Sequence, residues 1–355
     1  MFNVRCEQKY AVWGNIIAWI MDTDLNKPLS IVVTIPMDEN LVRKIIDIGT
    51  RVTIVSIFDV MYADKGGDAA AKEKLDAILA NAEIIYGFGL PVNVVARSPK
   101  LKWVQMTSAG VDRFLTDELR QSKVIMTNVR GMHAVPMGEF VLGDMLMFAK
   151  GAQHCFQQKQ GKQWKPFMPS MLHSKTVGIV GLGSIGHEIA RLSKAFGMRV
   201  LAIRRSEVKL KTVRYVDEIF LREQLKQMLS ESDFVVLTVP LTSETHKIIG
   251  EPEFRSMKPT AYLINVARGN VVDEEALVRA LEENRIAGAA LDVFAVEPLP
   301  ASSRLWDLSN VIFSPHIAGG MEEYAEQAND IFCENLKRYL AGKKLLRIVD
   351  KQKGY

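Results

Sequence analysis

Cysteine is nearly missing from this chain: Cys6, Cys155 and Cys333 are the only three in 355 residues. They stand far apart, and no Cys-x-x-Cys or Cys/His metal spacing joins them. That pattern excludes a disulfide framework and a zinc ribbon, and it reads as reduced thiols in a cytoplasmic protein. Long apolar runs are absent too. The stretch Tyr10 to Met21 follows Arg5 and Lys9 in the manner of a secretory leader. It is too short to span a bilayer, and no small-x-small cleavage site follows. A cytoplasmic protein without a membrane segment is expected, with residues 1–28 forming an extension that packs on the surface or stays mobile. Charge of one sign is not in excess: 45 Lys and Arg face 41 Asp and Glu, a net +4 spread along most of the chain. No nucleic-acid footprint results. Internal repeats and low-complexity tracts are also lacking.

What remains is an ordinary globular composition, long enough for two domains. Leu29 to Pro36 is the first strand pattern, and Asp38 is placed to cap a helix over Glu39 to Ile48. Further strand patterns follow at Arg51 to Phe58, Glu83 to Gly87, Leu101 to Thr107 and Lys123 to Asn128. A polar loop after Phe58 leads into a helix ending near Ala82. Strands alternating with helices predict a small parallel α/β domain. Ala134 to Lys150 reads as a buried helix joining two domains, and Gln157 to Pro169 as an extended arm. Six more strands are expected, at Thr176 to Val180, Arg199 to Ile203, Phe234 to Val239, Ala261 to Ala267, Ala287 to Val293 and Asn310 to Ser314. With the helices between them they suit a doubly wound sheet. A last helix, Glu322 to Leu340, is patterned to pack back on the first domain.

Gly181-Leu182-Gly183-Ser184-Ile185-Gly186 closes the first of those six strands and opens a helix. A G-x-G-x-x-G in that context is a dinucleotide fingerprint. Gly181 permits the tight turn, Gly183 lets a pyrophosphate approach the backbone, and Gly186 lets helix and strand pack closely. The amides of Ser184 and Ile185 face the phosphates with the positive end of the helix dipole. The next strand of such a unit usually ends in an acid that accepts from the adenosine ribose. Here Arg204 stands 23 residues after Gly181, followed by Arg205 and Ser206. Guanidinium groups suit a 2′-phosphate, so NADP(H) is favoured over NAD(H), which remains possible.

In an open α/β sheet, ligands lie at the carboxyl ends of the strands. Arg268, Glu297 and His316 all follow later strands and therefore share the cofactor edge. Beside a hydride carrier the set is coherent. His316 has the pKa range of a proton donor to a carbonyl, Glu297 fixes the ring and favours imidazolium, and Arg268 offers a planar fork to a substrate carboxylate. His133, His154, His173, His187 and His246 lack a partner acid at suggestive spacing or fit a structural loop.

Five stretches together make the chain resemble the D-isomer-specific 2-hydroxyacid dehydrogenase family. They are Ser108-Ala109-Gly110-Val111-Asp112, Thr176 to Gly186, Asn265-Val266-Ala267-Arg268-Gly269, Leu291 to Pro298, and Ser314-Pro315-His316-Ile317-Ala318-Gly319. The resemblance covers about residues 29–345. It implies Arg268 as substrate clamp, His316 as acid/base and Glu297 as its partner. It implies substrate-carboxylate binding by amides near Ala109, Gly110 and Val111. Asp292 and the Val266 carbonyl would hold the nicotinamide amide, with Pro240 and Thr245 lining the cofactor. The pattern from Glu297 to Trp306 is most similar to NADP-dependent glyoxylate/hydroxypyruvate reductase-like members. Arg204 in place of an acid, Arg304 where proline is frequent, and the 28-residue extension depart from the family pattern.

The expected fold is thus α/β, a doubly wound Rossmann cofactor domain over residues 128–319 plus a smaller flavodoxin-like substrate domain. The latter spans 29–127 and is completed by the C-terminal helix at 320–345. The expected activity is hydride transfer between NADPH and a small 2-oxoacid bound in the cleft between the domains, with no metal. A homodimer through Ala134 to Pro169 is implied by the resemblance. Two rivals keep the same residues: a phosphoglycerate- or phosphite-type dehydrogenase, and a non-catalytic, dinucleotide-sensing corepressor-like protein. Formate enzymes of this likeness carry Gln where Glu297 stands.

Overall fold

The computed structural model describes residues 9–13, 16–20, 29–49, 52–204 and 213–354; only the backbone is described for 9–13 and 16–20. Cys6, Arg205 and Ser206 lie outside these. The chain divides into two compact units, Met1–Met132 with Glu322–Tyr355, and His133–Met321. Among the described residues each unit is built on a seven-stranded sheet, and no helix is long and apolar enough to cross a membrane.

The first unit carries β1 (Lys9–Trp13), β2 (Ile16–Ile20), β3 (Leu29–Val33), β4 (Val52–Ser56), β5 (Ile84–Gly87), β6 (Trp103–Met106) and β7 (Ile125–Thr127), ordered β1-β2-β4-β3-β5-β6-β7. The last five are parallel. Their order is that of flavodoxin-like sheets. β1 and β2 show how the described part of the N-terminal extension, residues 9–13 and 16–20, packs. They pair antiparallel with each other, and β2 pairs antiparallel with β4, Trp19 opposite Ile54. The open edge of β4 would otherwise present unpaired N–H and C=O groups, and the apolar run of the extension continues the sheet there.

A correction is the helix Phe58–Lys65, where a loop was expected. Val60 and Met61 on it are buried, and Gly66 closes it by donating to the Tyr62 carbonyl. The C-terminal helix Tyr324–Leu340 lies on the same sheet. Phe332 is fully buried and stacks on Tyr86 at 4.1 Å and on Trp103 at 5.3 Å between ring centroids. Beneath that stack runs a buried polar chain. Trp103 Nε1 donates to Thr127 Oγ1, and Thr127 Oγ1 to Gln105 Oε1, each at 2.7 Å; Asn335 Nδ2 donates to the same Gln105 oxygen at 3.1 Å. Each polar group finds a partner, which burial demands.

The second unit carries β8 (Thr176–Val180), β9 (Arg199–Arg204), β10 (Glu218–Leu221), β11 (Phe234–Leu237), β12 (Tyr262–Asn265), β13 (Gly288–Leu291) and β14 (Val311–Phe313), ordered β10-β9-β8-β11-β12-β13-β14. All ladders are parallel. This is the doubly wound order with one strand added, and its switch point lies between β8 and β11. Six strands were expected. β10 escapes the sequence pattern because Phe220 is its one buried residue.

The helix Ala134–Lys150 ends at Gly151 in the left-handed conformation, φ 64°. Val141, Met145 and Ala149 on it join the core under β8, β9 and β11. The expected arm begins later than Gln157, because the helix Ala152–Gln160 includes that residue.

Candidate active site

The cofactor turn follows β8. Gly181 has φ 108°, and a Cβ there would meet Val239 Cγ1 at 2.8 Å. At Gly186 a Cβ would lie 2.3 Å from the Gly181 carbonyl oxygen, so only glycine lets helix and turn approach this closely. At Gly183 a Cβ would meet nothing within 4 Å, which leaves the backbone open on that side. Thr238 Oγ1 donates to the Gly181 oxygen at 2.6 Å and locks the turn. The helix Ser184–Ala195 starts at Gly183 without a side-chain cap. The first amides of a helix have no internal partner, so those of Ser184, Ile185 and Gly186 suit a pyrophosphate.

Arg204 closes β9 opposite Leu221 of β10. It is the described member of the expected 2′-phosphate group. After β11, the Thr245 hydroxyl donates to the Pro240 oxygen at 2.6 Å and accepts from the Thr242 amide at 2.8 Å. Thr245 therefore shapes the loop in which exposed Pro240 stands.

Three loops at the carboxyl ends of β12, β13 and β14 carry Arg268, Glu297 and His316. After β12, Asn265 caps its own turn: Oδ1 accepts from the Ala267 amide and Nδ2 donates to the Arg268 oxygen, both at 3.1 Å. Val266 is buried in that turn, and Arg268 is half-buried, with Nη1 donating to the Ala267 oxygen at 2.7 Å. A Cβ on Gly269 would lie 1.9 Å from the Phe294 carbonyl carbon, so glycine brings this turn against the loop after β13. That loop carries Glu297, whose Oε1 accepts from the Phe294 amide at 3.1 Å. The other oxygen, Oε2, lies 2.8 Å from His316 Nδ1. A carboxylate on Nδ1 selects the tautomer with its proton there and turns Nε2 outward.

His316 sits in a strained turn, φ 57°. Asp292, 2 % exposed, holds that turn. Its Oδ1 accepts from Ser314 Oγ at 2.6 Å and the Ile317 amide at 2.8 Å, and its Oδ2 accepts from the Ala318 amide at 3.0 Å. A carboxylate offers about four acceptor positions, so about one remains on Oδ2 for a ligand amide. Sequence reasoning singled out Asp292 for the cofactor and missed this clamp, together with Ser314 and Asn265. The signal for Asn265 was present, since Asn at a strand end commonly bonds its own backbone.

The sequence marks Asp144 only as one of two acids, with Glu139, in an apolar helix. It lies on the helix Ala134–Lys150, 6 % exposed. Burial, and then the Asp292 charge, push its carboxyl up to about 7. Ala109, Gly110 and Val111 belong to the other unit, in the loop after β6. Among the described residues no cluster of three or more His, Cys, Asp or Glu side chains could hold a metal ion.

The family model for the NAD-binding domain of D-isomer specific 2-hydroxyacid dehydrogenases matches residues 142–318. A glyoxylate reductase of Korarchaeum cryptofilum is 36 % identical over 263 residues, 71 % of this chain and 77 % of that protein. Glyoxylate/hydroxypyruvate reductase B of Pectobacterium carotovorum is 37 % identical over 276 residues, 74 % of this chain and 84 % of that protein. This chain belongs to the D-isomer-specific 2-hydroxyacid dehydrogenase family. Among solved structures, the NADPH-dependent glyoxylate/hydroxypyruvate reductase of Sinorhizobium meliloti, in complex with NADP and sulfate, is similar with TM-score 0.77 at 25 % identity, covering 92 % of this chain and 99 % of that one. The protein is therefore a D-2-hydroxyacid dehydrogenase that uses a nicotinamide cofactor. That activity sets aside the non-catalytic corepressor reading.

Proposed function

We propose that this dehydrogenase reduces a small 2-oxoacid, glyoxylate or hydroxypyruvate, with NADPH as the preferred cofactor. The observation that carries the reading is the 2.8 Å contact between His316 Nδ1 and Glu297 Oε2, at the sheet edge that also carries Arg268. When bound, the reduced nicotinamide supplies a hydride to the substrate carbonyl carbon. His316 Nε2 gives its proton to the carbonyl oxygen, and Glu297 steadies the imidazolium before that step. Arg268 takes the substrate carboxylate in its fork and polarises the adjacent carbonyl. Ala109, Gly110 and Val111 are assigned the same carboxylate through their amides. Asp292 and the Val266 carbonyl are assigned the nicotinamide amide, with Pro240 and Thr245 along the cofactor.

Arg204 supports the NADPH preference, because a guanidinium pairs with a 2′-phosphate where an acid would repel it. Arg205 and Ser206 are proposed to join it. The names of the glyoxylate and glyoxylate/hydroxypyruvate reductases support the substrate class, while a D-3-phosphoglycerate dehydrogenase of Methanocaldococcus jannaschii, 30 % identical over 91 % of this chain, supports the phosphoglycerate alternative. A spectrophotometric panel with glyoxylate, hydroxypyruvate and bulkier 2-oxoacids, each with NADPH and NADH, tests the reading. The expected result is a higher kcat/KM for the small oxoacids and for NADPH. A clear NADH preference, or faster turnover of bulky acids, contradicts it.

A homodimer through Ala134 to Pro169 is proposed as well. Trp164 is 94 % exposed and Met168 95 % exposed on the segment after Gln160, an apolar surface that a second copy would cover. Light scattering at twice the chain mass is expected.

A further inference from the structure

Four consecutive carbonyls in the loop after β6 are held by the first unit itself. The Tyr324 hydroxyl donates to the Thr107 oxygen at 2.6 Å, and the Val129 amide donates to the Ser108 oxygen at 3.4 Å. Asn128 Nδ2 donates to the Ala109 oxygen at 2.7 Å, and Ser108 Oγ donates to the Gly110 oxygen at 2.8 Å.

A trans peptide is planar, so its carbonyl and the following N–H point in opposite directions. Holding the Ala109 carbonyl toward Asn128 therefore turns the Gly110 N–H away from Asn128. Holding the Gly110 carbonyl toward Ser108 does the same for the Val111 N–H. Among the described residues neither of these amides donates a hydrogen bond to the protein. Gly110 is partly exposed while Val111 is fully buried, so the Gly110 N–H is the one open to an anion.

Asn128 is 1 % exposed and is itself fixed. Its Oδ1 accepts from the Arg130 amide at 3.2 Å, and its own amide donates to the Arg347 oxygen at 3.3 Å. Its two side-chain ends thus do different things. The oxygen shapes the turn after β7, and the nitrogen orients the loop after β6. The strands themselves do not depend on it, since β6 and β7 are joined by their own ladder and by the Trp103–Thr127–Gln105 chain.

We propose that Asn128 is a positioning residue for substrate-carboxylate recognition, holding the Ala109–Gly110 peptide so that the Gly110 N–H meets the carboxylate of the 2-oxoacid. This rests on the reading that the Ala109 to Val111 amides bind that carboxylate.

The test uses the full-length enzyme with Asn128→Ala and the isosteric Asn128→Asp, which keeps the acceptor for the Arg130 amide and removes the donor. The readouts are Tm, KM for the preferred 2-oxoacid, KM for NADPH, and inhibition by oxamate and by uncharged oxamide. Losing one such hydrogen bond is expected to raise the oxoacid KM and the oxamate Ki about tenfold in Asn128→Ala, and more in Asn128→Asp. KM for NADPH and the oxamide Ki should stay within about twofold, since neither depends on that bond. Lowering the pH until the introduced carboxyl is protonated should restore oxamate binding in Asn128→Asp and not in Asn128→Ala.

An unchanged oxoacid KM in both variants overturns the inference. So does an equal rise in the NADPH KM and oxamide Ki, which would mark general loosening. Should the wild-type enzyme bind oxamate no better than oxamide, the carboxylate reading itself fails and takes the inference with it. Should the wild type discriminate and Asn128→Ala discriminate equally well, the inference alone falls.

Discussion

The two units fix their loops by opposite means. In the second unit the proposed reagents are side chains: Arg268, Glu297 and His316 leave β12, β13 and β14, and backbone groups around them are capped by Asn265 and Asp292. In the first unit the proposed reagent is the backbone. Side chains such as Asn128, Ser108 and Tyr324 serve to aim the peptide planes of the loop after β6. Side-chain chemistry demands particular residue types at the site. Backbone chemistry demands them elsewhere, at the positions that hold the loop.

The contrast can be sharpened by substitution. The largest effect is expected at Arg268, whose planar fork is proposed to take the substrate carboxylate. Arg268→Ala should lower kcat/KM for the oxoacid by about two to three orders of magnitude, the range for removing one partner of a desolvated charge pair. Arg268→Lys keeps the charge without the fork and should recover only part of that loss. Steady-state kinetics check both, and a loss under about tenfold would show that the second unit does not depend on this side chain.

Next comes the cofactor edge. Arg204→Ala should lower kcat/KM for NADPH by about 10- to 100-fold, the value of a charge-assisted hydrogen bond to phosphate, and leave NADH nearly unchanged. Equal losses with both cofactors would mean that Arg204 does not face the 2′-phosphate. The Asn128 variants follow, with the tenfold effect described above.

The smallest effect on catalysis, but a measurable one on stability, is expected at Asp144. Burial and the Asp292 charge raise its carboxyl to about 7 from the ordinary 3.8. The folded protein then keeps a proton that the unfolded chain releases between about pH 4 and pH 7, so stability falls as pH rises across that window. Asp144→Asn mimics the protonated form. It should stabilise the protein by a few kcal/mol at pH 8, on the order of 1.4 kcal/mol per unit of raised pKa, and make little difference at pH 4. Denaturant unfolding at the two pH values decides it; equal differences at both would show that the carboxyl is not desolvated.

The same contrast explains what could be read from the sequence. Gly181, Gly183 and Gly186 announced the cofactor turn because each glycine answers a separate steric demand, and Arg268, Glu297 and His316 announced themselves by residue type at strand ends. β10 escaped notice since its pattern is mostly exposed, and the helix Phe58–Lys65 since it buries only Val60 and Met61. β1 and β2 were hidden by an apolar run that resembles a leader. Asp144 reads as one of two acids in an apolar helix, and its raised carboxyl arises from burial and then from Asp292, which is 148 residues away in sequence (292 − 144). Asn128 gave no sign either, because its importance lies in the carbonyl it holds.

Proton delivery by His316 of the second unit is decided by His316→Ala. With glyoxylate and saturating NADPH, kcat should fall at least about 100-fold, the usual contribution of a positioned general acid, while NADPH binding measured by fluorescence stays near the wild-type value. Turnover undiminished by that substitution would mean that His316 is not the proton donor.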